Sequence, residues 1–254
     1  MKMTPLRIIL SGCSGRLGSV VARIAAERDD LEIVCGVDLR GSADFPVKGS
    51  FAEVDVDADV IIDISHHTVI GDVLAYAKVH ALPVVICTTG HTEEEDTLIR
   101  DSAKYVPILK SRNMSLGINL MMELVRRTAA TLGDEFDIEI VEAHHNKKLD
   151  APSGTALMLA DAASEVREDA EYIYDRHSVR RERDKREIGI HSVRGGTIVG
   201  EHSVIFAGRD EVITLSHSAG SRDLFASGAV KAAEFLRGAK AGYYTMNDVV
   251  KELV

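Results

Sequence analysis

Apolar residues in the first 110 positions recur as short β-branched runs, each followed by a segment of helical periodicity. We predict strands at residues 6–11, 31–37, 60–64, 84–88 and 106–110. Helices are predicted at residues 20–28, 68–80 and 93–105, the last capped by Thr92 ahead of three glutamates. Strands and helices that alternate in this way are typical of a parallel sheet covered by helices, so a doubly wound domain is expected here.

From Gly117 onward the pattern changes to one long apolar-periodic helix, ending at residue 132, and then to alternating strands. The strands are predicted at 136–145, 188–194, 197–206 and 212–217, with a helix at 156–166. The Gly195-Gly196 pair predicts a tight hairpin between the second and third of these strands. Helical periodicity returns after Ser218, and we expect this tail to rejoin the first domain. The expected fold is α/β, a Rossmann-like amino-terminal domain plus an α+β domain with an open mixed sheet.

Composition and charge narrow the class of protein. The chain has 30 Lys and Arg against 40 Asp and Glu, a net charge of −10, which argues against a nucleic-acid partner. Its apolar runs are far shorter than the ~20 residues that cross a bilayer, so no membrane partner is expected. Three cysteines without CxxC spacing indicate neither a disulfide framework nor a zinc site. With no secretory signal recognised at the amino terminus, we expect a cytoplasmic protein.

Two other features are expected to carry no metal or catalytic chemistry. Residues 165–187 mix both charge signs densely, which is typical of a solvated loop or helix. His66 and His67 follow a predicted strand, but adjacent side chains are expected to point to different sides, and no ligand-spaced partner is apparent. They are interpreted as loop residues near a cofactor, and no metal site is predicted.

The segment Gly12-Cys13-Ser14-Gly15-Arg16-Leu17-Gly18 lies between the first strand and the first helix. Glycines in this context let backbone N–H groups approach a pyrophosphate. The spacing is GxxGxxG, with Ser14 where the second glycine of GxGxxG usually stands, so a plain strand-to-helix turn is the alternative. Asp38 ends the second strand about 20 residues later, where a carboxylate accepts hydrogen bonds from ribose hydroxyls. Its alternative is a turn or capping aspartate, and Arg40 could instead meet the 2′-phosphate of NADPH.

A second strand end in the same domain carries small hydroxyl residues, Cys87-Thr88-Thr89-Gly90. Ligands of open parallel sheets bind at the carboxyl ends of the strands. The segment is therefore a candidate nicotinamide contact, although an ordinary loop after a strand has the same composition.

The densest group of chemical side chains lies at residues 142–155, EAHHNKKLDAPSGT. His144 is a candidate acid because imidazole titrates near neutral pH, and Lys148 can bring an ammonium back to the same spot around a turn. Ser153-Gly154-Thr155 runs into a predicted helix, whose first N–H groups and hydroxyls suit a carboxylate or phosphate. A capped helix after a polar loop is the alternative interpretation.

These residues carry a resemblance to a known family. Residues 142–156 strongly resemble the signature of dihydrodipicolinate reductase (4-hydroxy-tetrahydrodipicolinate reductase) of lysine and diaminopimelate biosynthesis. Further matches occur in order at residues 12–18, 63–65, 88–90, 113–117, 193–196, 199–202, 221–222 and 225. The resemblance therefore extends over nearly the whole chain.

The resemblance implies a nicotinamide-dependent reduction of a cyclic, unsaturated imine dicarboxylate by a homotetramer. Residues 1–114 and 219–254 would bind the dinucleotide, and residues 115–218 would bind substrate and support oligomerisation. His144 and Lys148 would form the catalytic pair, with Lys148 nearest the ring nitrogen. The implied substrate contacts are His145, Ser153, Gly154 and Thr155. The implied cofactor contacts are Gly12, Cys13, Ser14, Gly15, Arg16, Leu17, Asp38, Cys87, Thr88, Thr89, Ser111, Arg112, Asn113 and Met114.

Three positions depart from the family pattern and bear on the cofactor. Cys87 stands where glycine is usual, Leu39 where many members have a basic residue, and Ser111-Arg112 where small residues are common. Asp38 favours NADH, so we expect NADH to be preferred modestly over NADPH.

Two rival functions stay open. Another two-domain oxidoreductase, acting on an aldehyde or sugar, would not need the anion site of residues 153–155. A dinucleotide-sensing relative without turnover would not need an intact His144, Lys148 and Thr155.

Overall fold

The computed structural model of the chain describes residues 4–39, 41, 43–167, 169–177 and 179–253. Its strands are β1 Leu6–Ser11, β2 Leu31–Val37, β3 Val47–Lys48, β4 Val60–Asp63, β5 Val84–Ile86, β6 Pro107–Lys110, β7 Asp137–His144, β8 Glu171–Ile173, β9 Glu187–Arg194, β10 Glu201–Ala207, β11 Val212–Ser218 and β12 Gly242–Tyr244. Its helices are α1 Arg16–Ala26, α2 Ile70–His80, α3 Glu93–Ser102, α4 Leu116–Leu132, α5 Gly154–Ser164, α6 Asp223–Leu236 and α7 Met246–Glu252. The chain divides into two compact units, Met1–Ser115 with Asp223–Val254, and Leu116–Arg222.

The first unit is built on a parallel sheet with the order β12-β6-β5-β4-β1-β2-β3. Its central strands are fully buried, as in Ile8 to Leu10 of β1 and Ile61 and Ile62 of β4, because helices cover the sheet. The predicted doubly wound architecture is confirmed. The parallel strands bring the carboxyl ends of β1, β4, β5 and β6 to one edge, which is where polar ligands bind in such sheets.

Long β-branched runs located the strands of this unit well, whereas short elements gave no signal. Strands β1 and β2 have the predicted bounds. Helix α1 begins at Arg16 rather than at residue 20, since the glycine turn is completed by Gly15. The Thr92 cap of α3 is confirmed as a capping box with Glu95. The unpredicted β12 adds the chain's tail to this sheet beside β6.

The second unit contains a mixed sheet with the order β11-β10-β7-β9-β8. Strand β7 pairs in parallel with β9 and antiparallel with β10. Helices α4 and α5 cover one face, and Ile140, Phe206 and Leu159 pack in the core between them. The predicted open mixed sheet is confirmed. In the described part of the chain, no helix is both long enough and apolar enough to cross a membrane.

The predicted Gly195-Gly196 hairpin between β9 and β10 is wrong, because β7 lies between these two strands. The glycines instead hydrogen-bond to the chain that leaves β7. Gly195 N–H donates to the carbonyl of His144 at 2.9 Å, and Asn146 N–H donates to the carbonyl of Gly196 at 3.2 Å. The turn thereby extends the β7–β9 pairing into the loop that follows His144.

Most of the charged segment 165–187 is the irregular, solvent-accessible chain that its composition predicts, although some of its charged side chains have structural partners. It contains β8, and its arginines satisfy backbone carbonyls at the start of β7. The Arg167 guanidinium is buried and donates to the carbonyl of Phe136 at 2.8 Å, and Arg183 donates to the carbonyl of Ile138 at 2.9 Å. Glu187 is buried and paired with arginines of the same segment. These charges therefore fasten the segment to the sheet.

Candidate active site

The glycine turn after β1 is packed against neighbouring backbone. Gly12 has φ +79°, and a Cβ added there would lie 2.7 Å from the carbonyl oxygen of Ile64. A Cβ on Gly18 would collide with the carbonyl oxygen of Gly12. Glycine is therefore required at both ends of the turn, and the close approach of backbone brings the start of α1 to the carboxyl edge of the sheet.

The start of α1 has the donor set that a dinucleotide requires. Gly15 is its N-cap, no side chain of the described residues caps it, and no acidic residue occupies its first turn. Backbone N–H groups and the positive end of the helix dipole suit a diphosphate there. Beside them, the Asp38 carboxylate accepts a hydrogen bond from Ser14 N–H at 3.0 Å, which holds an acceptor for ribose hydroxyls next to the turn. The residues present thus fit a dinucleotide. Arg40 lies outside the described residues.

Strand ends β4 and β5 form a hydrogen-bonded pair at the same edge. Thr88 is buried and its hydroxyl donates to Asp63 at 2.8 Å, while Thr89 is exposed. Burial raises the pKa of the Cys87 thiol, so it is present as the neutral thiol at pH 7. Of the predicted residues here, Thr89 presents its side chain to solvent, whereas the Thr88 hydroxyl is committed to Asp63.

The loop that follows β6 is held by its own short hydrogen bonds. Ser111 Oγ donates to the carbonyl of Asn113 at 2.9 Å, and Asn113 Oδ1 accepts from Ser115 N–H at 2.9 Å. Met114 is buried and Arg112 is exposed. The predicted cofactor loop is therefore a compact turn at the end of a parallel strand.

The expectation that His66 and His67 point to different sides is wrong. Their ring centroids lie 4.4 Å apart, because a 3-10 turn begins at His67 and turns the chain. His67 Nδ1 lies 2.9 Å from Glu95 Oε2. Across the described ranges, no three His, Cys, Asp or Glu side chains are grouped as metal ligands.

In the second unit, His144 ends β7 and is held by a buried carboxylate. Its Nδ1 lies 2.6 Å from Oε2 of Glu142, which is fully buried. Arg194, at the end of β9, donates to both carboxylate oxygens at 2.7 and 2.9 Å. Burial raises the pKa of Glu142, but hydrogen bonds from Arg194, Ser192 and His144 outweigh it and lower that pKa to about 2. Glu142 is therefore ionised at neutral pH.

Lys148 lies in the loop after His144, where its backbone N–H donates to the carbonyl of His145 at 3.1 Å. Its ammonium lies 2.9 Å from Asp150 Oδ1. The hydrogen bond from Lys148 lowers the pKa of Asp150. The charge of Lys148 also contributes to lowering the pKa of His145. The chain thus turns back after His144 and keeps the charge of Lys148 close enough to His145 to lower its pKa.

Arg222 lies beside a predicted site residue, and the sequence patterns assigned it no role. Its Nη2 lies 3.2 Å from Nε2 of His145. Burial, followed by the charge of Arg222, lowers the pKa of His145. This contact places a guanidinium beside a neutral imidazole, a pair suited to one carboxylate of a ligand. The only sequence signal was the family match at residues 221–222, which assigns no role.

The start of α5 is joined to the same network through Ser153. Its hydroxyl accepts from Ala156 N–H at 3.1 Å and lies 3.0 Å from Nε2 of His202. Its backbone N–H donates to Glu142 at 3.2 Å. Burial, then the charge of His144, lowers the pKa of His202 to about 4, so this ring is neutral at pH 7. Gly154 and Thr155 follow as the first residues of the helix.

Both parts of the chain match the same protein family. Residues 6–114 match the family description "Dihydrodipicolinate reductase, N-terminus", and residues 117–250 match "Dihydrodipicolinate reductase, C-terminus". Together the two matches span nearly the whole chain.

The chain belongs to the dihydrodipicolinate reductase family. It is 53% identical over 249 residues to a protein of Caldanaerobacter subterraneus named 4-hydroxy-tetrahydrodipicolinate reductase, covering 97% of this chain and 99% of that one. A Clostridium novyi protein of the same name is 45% identical over 248 residues, covering 96% and 98% of the two chains. The family resemblance seen in the sequence is confirmed.

Solved structures agree with the fold. The dipicolinate-bound dihydrodipicolinate reductase of Paenisporosarcina sp. TG-14 superposes with a TM-score of 0.81 at 25% identity, covering 96% of this chain and 99% of that one. The diaminopimelate dehydrogenase of C. glutamicum superposes with a TM-score of 0.56 at 15% identity, covering 98% and 96%, which shows a shared fold alone.

Proposed function

We propose that this chain reduces 4-hydroxy-tetrahydrodipicolinate (dihydrodipicolinate) to tetrahydrodipicolinate with a nicotinamide cofactor, in lysine and diaminopimelate biosynthesis. The observation that carries the proposal is the cluster of His144, His145, Lys148 and Arg222 close to the start of α5. In a chain of net charge −10, this concentration of cationic and proton-bearing groups suits a small dianion. Relatives named 4-hydroxy-tetrahydrodipicolinate reductase support the same reaction, and a dipicolinate-bound dihydrodipicolinate reductase supports the same class of ligand.

Substrate binding is assigned to two groups of residues in the second unit. Arg222 and His145 would take one carboxylate, because a guanidinium binds carboxylate through parallel N–H donors. Ser153, Gly154 and Thr155 would take the other at the start of α5, where the helix dipole favours an anion. The Ser153 hydroxyl serves as the helix cap, so its part is to hold the turn in place.

When bound, the nicotinamide supplies the hydride for the ring carbon that has lost the substrate's hydroxyl, which leaves as water together with a proton from the neighbouring ring carbon. Lys148 would hold the proton that the substrate ring nitrogen receives. Its loop connects His145, of one proposed carboxylate site, to residues 153–155, which form the other. Its 2.9 Å contact with Asp150 Oδ1 holds the side chain in one place. His144 would assist as the second acid group, with its ring oriented by Glu142.

The first unit would hold the dinucleotide at the carboxyl edge of its sheet. The turn of residues 12–17 would bind the diphosphate, and Asp38 the adenine-side ribose. Cys87, Thr88 and Thr89, with the loop of Ser111, Arg112, Asn113 and Met114, would line the edge toward the nicotinamide. The support lies in the tight glycine turn and in the uncapped start of α1.

NADH is proposed as the preferred cofactor, by a modest margin. The Asp38 carboxylate beside the turn accepts hydrogen bonds from ribose hydroxyls and repels a 2′-phosphate. Leu39 is 89% exposed and offers no charge to offset that repulsion. By resemblance to the family, we also propose that the protein is cytoplasmic and assembles as a homotetramer. Light scattering on the purified protein tests the tetramer.

The rival functions lack a supporting observation. An oxidoreductase for an aldehyde or sugar has no use for Arg222 and His145 paired beside the acid groups. A dinucleotide sensor without turnover has no use for an ionised Glu142 that orients His144.

A coupled assay tests the proposal. 4-Hydroxy-tetrahydrodipicolinate is generated in situ by its synthase, and the loss of nicotinamide absorbance is followed with NADH and, separately, with NADPH. Cofactor oxidation that depends on the synthase product supports the reaction. Oxidation with an aldehyde or sugar, and none with the synthase product, would replace it with the rival oxidoreductase.

A further inference from the structure

The geometry points to Glu142 as a positioning residue that fixes the proton of His144 on Nδ1 and also anchors the start of α5. This inference rests on the proposed function, because it explains how the acid group and the substrate's carboxylate site keep a fixed position relative to each other. Glu142 is fully buried and has no route to substrate, so it acts through the residues that it holds.

Besides the Ser192 hydroxyl, four donor atoms lie within 3.2 Å of the Glu142 carboxylate oxygens. Oε2 accepts from Arg194 at 2.9 Å and faces His144 Nδ1 at 2.6 Å. Oε1 accepts from Arg194 at 2.7 Å and from the backbone N–H of Ser153 at 3.2 Å. A carboxylate has about four lone-pair sites, so these donors saturate it.

The contacts come from three different elements. Glu142 and His144 are two residues apart on β7 and therefore lie on one face of the sheet. Arg194 is the residue of β9 paired with His144, and Ser153 caps α5. One buried group thus ties the proposed acid to the proposed carboxylate site.

The charge state of Glu142 decides the tautomer of His144. An ionised carboxylate can only accept hydrogen bonds, so the 2.6 Å contact requires the proton on His144 Nδ1. In the neutral ring, Nε2 is then the bare nitrogen that can take up a proton and deliver it. Nε2 faces Gly200, where an added Cβ would lie 3.1 Å away, so the glycine keeps that side of the ring open.

Replacing Glu142 by Gln predicts a specific change at His144. If the amide nitrogen took the Oε1 position, it would oppose two fixed donors, Arg194 and Ser153 N–H. If it takes the Oε2 position, it opposes Arg194 alone, because the His144 ring can respond by moving its proton to Nε2. The second arrangement has one conflict instead of two, so Glu142→Gln is expected to switch the tautomer.

The strand offers a matched control in Glu139. Its carboxylate also contacts a histidine and an arginine, with His191 Nε2 at 2.8 Å and Arg183 Nε at 2.9 Å. Glu139→Gln makes the same chemical change in the same strand without touching His144.

The test is ¹⁵N NMR of histidine-labelled protein at a pH of about 8.5, where imidazoles are ordinarily neutral. The His144 resonances are assigned by their loss in His144→Gln. We expect the Nδ1–H tautomer in wild type and in Glu139→Gln, and the Nε2–H tautomer in Glu142→Gln. In the coupled assay, kcat of Glu142→Gln should fall between about 10²- and 10⁴-fold, with the Kd for the cofactor unchanged.

A wild-type His144 with its proton on Nε2 would overturn the inference, and that measurement needs no variant to fold. An unchanged tautomer in a folded Glu142→Gln would overturn it as well. The spectra require no substrate, so they decide the inference even if wild type fails to turn over the synthase product. That failure would instead remove the proposed function.

Discussion

Helices α1 and α5 each begin beside the end of a strand, and their amino termini are built in opposite ways. Helix α1 starts at glycine, without a side-chain cap, on a turn so tight that Gly12 and Gly18 exclude any Cβ. Helix α5 is capped by the Ser153 hydroxyl, and the Ser153 backbone N–H donates a hydrogen bond to the buried Glu142.

The difference separates two ways of receiving an anion. In the proposed function, the backbone at α1 would make room for a large ligand and contribute binding alone. At α5, hydrogen bonds through Glu142 join the helix start to His144, so the proposed substrate binding and proton transfer would share one network. Substitutions at α1 should therefore change cofactor affinity, and those around α5 should change turnover.

The largest effect is expected from the acid pair. His144→Ala and Lys148→Ala should each lower kcat about 10²- to 10⁴-fold, because a positioned acid contributes that much to rate. The Kd for the cofactor, measured by fluorescence titration, should not change. Lys147→Ala, an exposed neighbour, is the control. Near-normal turnover in both variants would show that the α5 region does not carry the chemistry.

Acid should destabilise the second unit through His202. Its pKa falls from 6.5 to about 4 on folding, so the unfolded chain binds more protons between these values. The contribution of neutral His202 to the free energy of unfolding is fully present above pH 6.5, and about 3 kcal/mol of it is lost as the pH falls to 4. In urea unfolding across this range, the free energy of unfolding should depend less on pH for His202→Gln than for wild type. The variant His177→Gln, at an exposed histidine, should follow wild type. Identical slopes for wild type and His202→Gln would contradict the assignment.

Gly18→Ala probes the steric design of α1. The added Cβ meets the carbonyl of Gly12, so the turn must shift from the geometry proposed to bind the diphosphate, and the Kd for NADH should rise about tenfold, or ~1.4 kcal/mol. Gly71→Ala in α2 is the matched control, because a Cβ there meets nothing within 4 Å. Calorimetric binding of dipicolinate should be unaffected by either change. Weakened dipicolinate with normal NADH affinity would reverse the division of roles.

Thr155→Ala sharpens the position of the carboxylate site. Loss of one hydroxyl donor to a charged group should raise KM for substrate about tenfold. Lys147→Ala should raise it less, since that side chain is exposed. A larger KM effect for Lys147→Ala would mean that the carboxylate lies elsewhere.

The smallest effect concerns cofactor choice. Wild type should favour NADH over NADPH by less than about tenfold, because the charge of an arginine two residues along the chain offsets part of the repulsion from Asp38 in water. Arg40→Ala should lose NADPH affinity selectively, and the neighbouring Leu39→Ala should leave both affinities unchanged. Much tighter binding of NADPH by wild type, in a titration at matched salt, would show that Asp38 does not face the ribose.

Local patterns predicted the elements, but not how the strands are ordered. Runs such as Leu31–Val37 have a β-branched composition that is visible within one segment, and β2 has the predicted bounds. The Gly195-Gly196 pair also signals a turn correctly, yet the turn joins strands that are separated by β7. Strand order depends on contacts between distant segments, which a dipeptide does not encode.

The same limit explains which residues of the candidate site could be recognised from the sequence. His144, Lys148 and Ser153 stand within one short segment and could be recognised together. Arg194 and His202 reach the site only through the pairing of β9 and β10 with β7. Register decides these contacts, so the sequence alone did not connect either residue to Glu142.

Isotope transfer tests the central claim most directly. Wild-type protein is supplied with the synthase product and NADH deuterated at C4 on the transferred side, and the product is analysed by mass spectrometry. We predict tetrahydrodipicolinate carrying one deuterium for each NADH oxidised. Oxidation of NADH without deuterium in the product, or no oxidation with either nicotinamide cofactor, would contradict the account.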